Sequence, residues 1–139
     1  MSDSAREFMD KGESVIASGN VEFALQYRND IPGDEGLCIQ IYAQVSGADT
    51  ELLRFDCFAT APHYHYGPEA DDERLMFDAT ASGDPLNWTL ECFSQGRLEA
   101  MIRRAGYASV ADELDEKLVQ SLLPSVEEQA RTLVAKHSS

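Results

Sequence analysis

The stretch LCIQIYAQVSGADTELLRFDCF, residues 37–58, reads as two strands folded about a turn. In its first half Leu37, Ile39, Ile41, Ala43 and Val45 share one face of an extended chain, and Cys38, Gln40, Tyr42 and Gln44 share the other. Residues 46–49, SGAD, carry the small and polar residues of a tight turn. Beyond them Leu53, Phe55, Cys57 and Ala59 alternate with Arg54, Asp56 and Phe58. Two alternating runs joined by a short turn predict an antiparallel pair.

The same pattern extends in both directions. Upstream, the turn-rich NDIPGDEG follows VEFALQYRN, where Phe23, Leu25 and Tyr27 alternate with Glu22, Gln26 and Arg28. Before Gly19-Asn20, GESVIAS is its expected hairpin partner. Downstream, ERLMFDATA and LNWTLECFS, separated by SGDP, each show period two, the second through Leu86, Trp88, Leu90 and Cys92. About six strands joined mostly by short turns make a meander over 13–95, preceded by a polar segment over 1–12.

From Gly96 the period becomes helical. Leu98, Met101, Ile102 and Ala105 stand at i, i+3, i+4 and i+7, with Gly106 as a left-handed stop. Ser109 opens a second helix with the stripe Val110, Leu114 and Leu118, ended by Pro124. Ser125 and Glu128 form a capping box before a last helix with Val126, Ala130, Leu133 and Val134 on its apolar side. Strands followed by two to three C-terminal helices predict a single α+β domain over 1–139, with a helical tail over 96–137 packed on one face of an antiparallel sheet. The other face is mixed: Gln26, Gln40, Tyr42, Gln44, Arg54, Asp56, Phe58, Asp78, Thr89 and Glu91, suited to solvent, a cleft or a dimer interface.

With 25 acidic against 11 basic residues the formal charge is -14. Such a surface repels phosphate backbones and anionic lipid, so neither nucleic acid nor membrane is an expected partner. No run approaches the ~18 apolar residues of a membrane span, and the N-terminus lacks an apolar leader core, so cytoplasmic residence is the expectation. Cys38, Cys57 and Cys92 are odd in number, far apart and set in apolar alternation, as buried free thiols are.

Chemistry concentrates in APHYHYGPEADDE, residues 61–73, read as a proline-bracketed aromatic loop between two strands. His63 and His65, two apart, project to one side of an extended segment about 6.6–7 Å apart at Cα, close enough to share a metal ion. His63-x-His65-x3-Glu69 resembles the core of the first motif of cupins, metal-binding β-barrels in which two histidines and a glutamate are ligands. The likeness covers those seven residues: the motif's glycines fall at Cys57 and Met76, and its second histidine cluster has no counterpart.

The candidate ligand-binding residues are His63, Tyr64, His65, Tyr66, Asp56 and Arg54, and the candidate metal ligands His63, His65, Glu69, Glu73 and Asp78. A histidine beside Asp56 or Asp78 would also suit acid–base chemistry, whereas Cys57 is expected to be an inert buried thiol rather than a nucleophile. The leading expectation is an interaction or ligand-binding domain, a homodimer without cofactor that takes a protein or small-molecule ligand. The alternatives are a metal-dependent or acid–base enzyme centred on His63 and His65, and an acidic chaperone or inhibitor of a basic protein.

Overall fold

The structure, a computed structural model, describes residues 12, 14–59, 62–66, 73–76 and 84–138, with the backbone alone at 30, 31, 66, 73–76 and 138. Strands β1 (Ser14–Ser18), β2 (Val21–Ile31), β3 (Asp34–Val45), β4 (Ala48–Phe58), β5 (His63–Tyr66) and β6 (Glu73–Met76) form one antiparallel sheet in the order β1-β2-β3-β4-β5-β6. Helices α1 (Pro85–Ser94), α2 (Leu98–Arg104), α3 (Ala108–Asp112) and α4 (Glu116–Ser138) follow. The architecture is the expected α+β, an antiparallel meander with helices C-terminal to it.

Two segments exchange roles relative to the sequence reading. Residues 86–94, read as the last strand, lie in α1, and 63–66, read as part of a loop, form β5. Five of the anticipated strands are therefore present, and β5 makes the sixth. Helix α1 starts where Asp84 accepts from the backbone N–H of Asn87 at 2.9 Å and Pro85 occupies the first turn. An acidic N-cap followed by proline is a strong helix start, because proline lacks the N–H that would be orphaned there. The buried residues of α1, Leu86, Thr89, Cys92 and Phe93, follow a helical period and override the apparent alternation.

The tail also divides differently. Tyr107, not Ser109, precedes the first turn of α3, without a side-chain cap, and the chain breaks over Glu113–Asp115. Asp115 then accepts from the N–H of Leu118 at 3.1 Å and starts α4. That helix continues through Pro124 instead of stopping there, and the Ser125 capping box does not form. Proline denies the Gln120 carbonyl its helical donor. The apolar stripe Val119, Val126, Ala130 and Leu133, buried along one side, packs both halves of α4 onto the sheet and keeps the helix continuous.

Sheet and helices share one core. Phe93 of α1 meets Phe23 and Phe55 edge-on, each with ring centroids 5.4 Å apart, and all three rings are fully buried. Leu25, Leu37, Ile39, Ile41 and Leu53 complete the sheet side. A β-bulge at Leu52, between the pairs Ile41↔Leu53 and Tyr42↔Glu51, buries two consecutive leucines and keeps Glu51 on the Tyr42 face. At Gly36 β3 approaches β4 so closely that a Cβ would lie 2.3 Å from the carbonyl oxygen of Cys57. Only glycine permits that approach.

Candidate functional site

The face of the sheet away from the core rings is polar, yet it is buried too: Cys38, Gln40, Tyr42, Asp56, Phe58, His63 and His65 are all below 8% exposed. Its residues are ordered by register. Asp56 on β4 stands opposite Cys38 on β3 and His63 on β5, and Arg54 stands opposite Gln40 and His65. Because side chains alternate along a strand, Arg54 and Asp56 share this face, and so do His63 and His65. Tyr64 between the histidines points to the core, stacked on Phe55 at 5.9 Å and tilted against Trp88 at 5.3 Å.

Three donor groups converge here. Asp56 Oδ2 lies 2.9 Å from His63 Nε2 and 3.2 Å from His65 Nε2, and the imidazole centroids are 4.7 Å apart. One ligand atom from each of Asp56, His63 and His65 falls within 4.8 Å of the others. Phe58 packs edge-on against His63 at 5.7 Å, and Arg54 Nε stands 3.6 Å from Asp56 Oδ2.

Burial raises the carboxyl pKa of Asp56, but hydrogen bonds from His63 and His65, together with the Arg54 charge, outweigh it and hold the group well below the usual carboxylate range. Asp56 is therefore ionised and only accepts, so each Nε2 facing it carries a proton. The second oxygen, Asp56 Oδ1, is buried without a hydrogen-bond partner. A buried carboxylate oxygen left in that condition is costly unless something is meant to meet it.

Beside the cluster runs a hydrogen-bonded strip. Gln40 Nε2 donates to Glu51 Oε2 at 2.6 Å and lies 3.1 Å from Tyr42 Oη, while Gln26 Nε2 donates to Gln40 Oε1 at 3.3 Å. Further along, a cavity of about 500 Å³ shares Tyr42 with this face and is bordered by Glu22, Asp49 and Glu113.

Of the ligand-binding candidates, Asp56, Arg54, His63 and His65 are brought together, Tyr64 lies on the opposite face, and the Tyr66 side chain is outside the described residues. The expected carboxylate ligands Glu69 and Asp78 also fall outside the described residues, and Glu73 is described only as backbone opposite Tyr66. The carboxylate at the histidines is Asp56, absent from the expected metal set because the sequence reading places 63–66 in a loop and not in a strand paired with β4. The alternation His-Tyr-His-Tyr was the available signal for that pairing. Thr89 and Glu91, assigned to the mixed face, belong to α1 instead.

The Cys57 thiol does not join the chemistry. Cys57 is one residue from Asp56 and so faces the opposite way, 3.6 Å from Thr89 Oγ1; burial pushes its pKa up to about 12. Cys38 stands opposite Asp56 on the polar face, where burial, reinforced by the Asp56 charge and by its side-chain interaction with Asp56, holds the thiol well above its ordinary value. Arg103 donates to Glu99 and Asp112 at 2.9 Å each and ties α2 to α3.

A domain of unknown function, DUF7700, matches residues 15–130, and the chain belongs to that family. No curated protein and no solved structure matches it. Among the described residues no helix is long and apolar enough to cross a membrane.

Proposed function

We propose that this domain is a metal-dependent ligand-binding protein whose divalent ion is held by Asp56, His63 and His65. The observation that carries the reading is the convergence of three buried donors within 4.8 Å, one of them a carboxylate with an unpartnered oxygen. Two imidazole nitrogens and one carboxylate oxygen suit zinc, iron(II), manganese or cobalt, and three protein ligands leave coordination positions for water or a ligand. A net charge of -14 favours uptake of a cation.

The present arrangement resembles a proton-filled version of such a centre, with two N–H groups aimed at one oxygen. A metal would take the place of those protons, as deprotonated ligands require. An ion bound there would polarise a bound water or ligand oxygen. The hydrogen bond of 2.9 Å between His63 and Asp56 also favours a second reading, acid–base catalysis without metal, in which Asp56 orients the ring.

Untagged protein equilibrated separately with zinc, manganese and iron(II), then gel-filtered, should retain stoichiometric metal by elemental analysis. His63→Ala and His65→Ala should lose it while keeping wild-type circular dichroism. Clean apoprotein after all three metals sinks the metal reading and leaves the acid–base one.

A homodimer remains part of the proposal, but its interface would lie away from the polar face, whose residues are already buried within one chain. The edge strand β1, where Val15 is 46% exposed, supports it as an alternative contact. A light-scattering mass of one chain would exclude the dimer. An acidic chaperone of a basic protein would instead show a strongly salt-sensitive complex.

A further inference from the structure

We infer that the outer edge of β1 is a self-association surface, where two copies of this chain pair antiparallel about a two-fold axis at Ile16 and join two six-stranded sheets into one. The inference rests on the homodimer named above, adds its surface and register, and is independent of the metal reading.

Strand β1 ends the sheet: it stands first in the strand order, and among the described residues it pairs with β2 alone. Its outer side therefore offers backbone N–H and C=O groups to a further strand. Natural edges are commonly blunted by a charged side chain, a proline or a bulge. β1 has none of these: its sequence is SVIAS, and its register with β2 is unbroken from Ser14↔Leu25 to Ser18↔Val21. The opposite edge, β6, carries Glu73 and Arg74 in its ERLM.

The symmetry of SVIAS selects a second copy as the occupant. Pairing about Ile16 sets Ser14 against the partner's Ser18, Val15 against the partner's Ala17, and Ile16 against itself. A two-fold contact needs such a self-complementary patch. No row of the seam holds a charge, so two chains of formal charge -14 meet there without facing like charges.

Both faces of the strand gain by the pairing. Ile16 packs on the hydrophobic core opposite Phe23, and a second Ile16 extends that apolar row across the seam. On the other face Val15, 46% exposed and the one exposed large hydrophobic side chain among the described residues, comes to lie against the exposed Ala17 of the second copy. Helix α4 lies over β1 and β2, with Leu118 beside the Gly19 turn, and the half-buried Leu122 follows one turn on along the same face. Five paired residues cover less than the ~800 Å² per partner of a standard interface, so the expected complex is weak, with a Kd on the order of 10 µM or above.

The experiment measures mass by light scattering over rising concentration, in chelator. Wild type should pass from one chain toward two. Val15→Glu places a carboxylate in the row of the partner's Ala17, whose neighbour on β2 is Glu22, and should weaken the dimer about tenfold or more with unchanged circular dichroism. Val15→Thr, uncharged and β-branched, should keep it. Register is read by mixing Val15→Cys copies with Ala17→Cys copies under mild oxidation: the mixture should cross-link faster than either variant alone. A mass of one chain at every concentration overturns the homodimer and the edge pairing together. A dimer that withstands Val15→Glu, or a mixture that cross-links no faster than its components, overturns the edge pairing and leaves a dimer formed elsewhere.

Discussion

Asp56 and His63 face each other directly across the β4–β5 ladder, joined at 2.9 Å between Oδ2 and Nε2, with the carboxylate 3% exposed. A buried charge held in this way makes stability depend on pH with a definite sign. The folded-state pKa of Asp56 is depressed, so its contribution is fully present above the unfolded aspartate value of about 3.9 and is lost as pH falls toward the folded value. In chelator, Asp56→Asn should lower stability at pH 7 by about 3 kcal/mol. Urea unfolding of both proteins at pH 7, 5 and 3 should show the difference intact at pH 5 and shrinking below about pH 4. A difference that stays constant down to pH 3 would deny the carboxylate this role.

The aromatic contacts of Phe93 with Phe23 and Phe55 join α1 to the middle of the sheet. Phe93→Ala leaves a cavity between layers and should cost about 3–5 kcal/mol. Denaturant unfolding with an unchanged m-value would give that cost directly; a loss below 1 kcal/mol would mean the layers are not packed through this ring.

Gly36→Ala tests the close passage of β3 over β4. The new methyl would meet the carbonyl of Cys57 and the Cα of Phe58, backbone atoms that cannot swing aside. Destabilisation of about 2 kcal/mol or more is expected. Gly36 is two residues from Cys38, Asp56's partner on β3, so metal retention should fall in the same variant. Wild-type melting and metal content together would contradict the geometry.

Pro124→Ala should do the opposite. The helix already runs through this position, which is exposed, and alanine restores the missing N–H to the Gln120 carbonyl. A gain of about 1–3 kcal/mol is expected, read as a higher melting temperature. A loss would show that the proline is required by its surroundings.

Much of the fold was legible because alternation along residues 14–58 is continuous and the turns carry glycine and aspartate. The strand–helix error at 86–94 arose because Leu86, Trp88, Leu90 and Cys92 satisfy period two while Leu86, Thr89, Cys92 and Phe93 satisfy the helical period. Length could not arbitrate, but Asp84-Pro85 could have. Pro124 misled for the opposite reason: local chemistry says stop, and tertiary packing of Val119 and Val126 on either side of it prevails. At the site, the histidines, Asp56 and Arg54 were all named, but their convergence depends on which strands pair. One strand's pattern does not contain that information.

Tyr64 gives β5 a property that its polar face does not reveal. The residue is the only one between His63 and His65, and its ring is lodged against Phe55 and Trp88 on the other side of the sheet. The spacing of the two imidazoles is therefore gauged from the hydrophobic layer, as a key is gauged by the depth of its seat. Drift that reshapes the packing around Trp88 would shift the two imidazoles without altering any group that touches them.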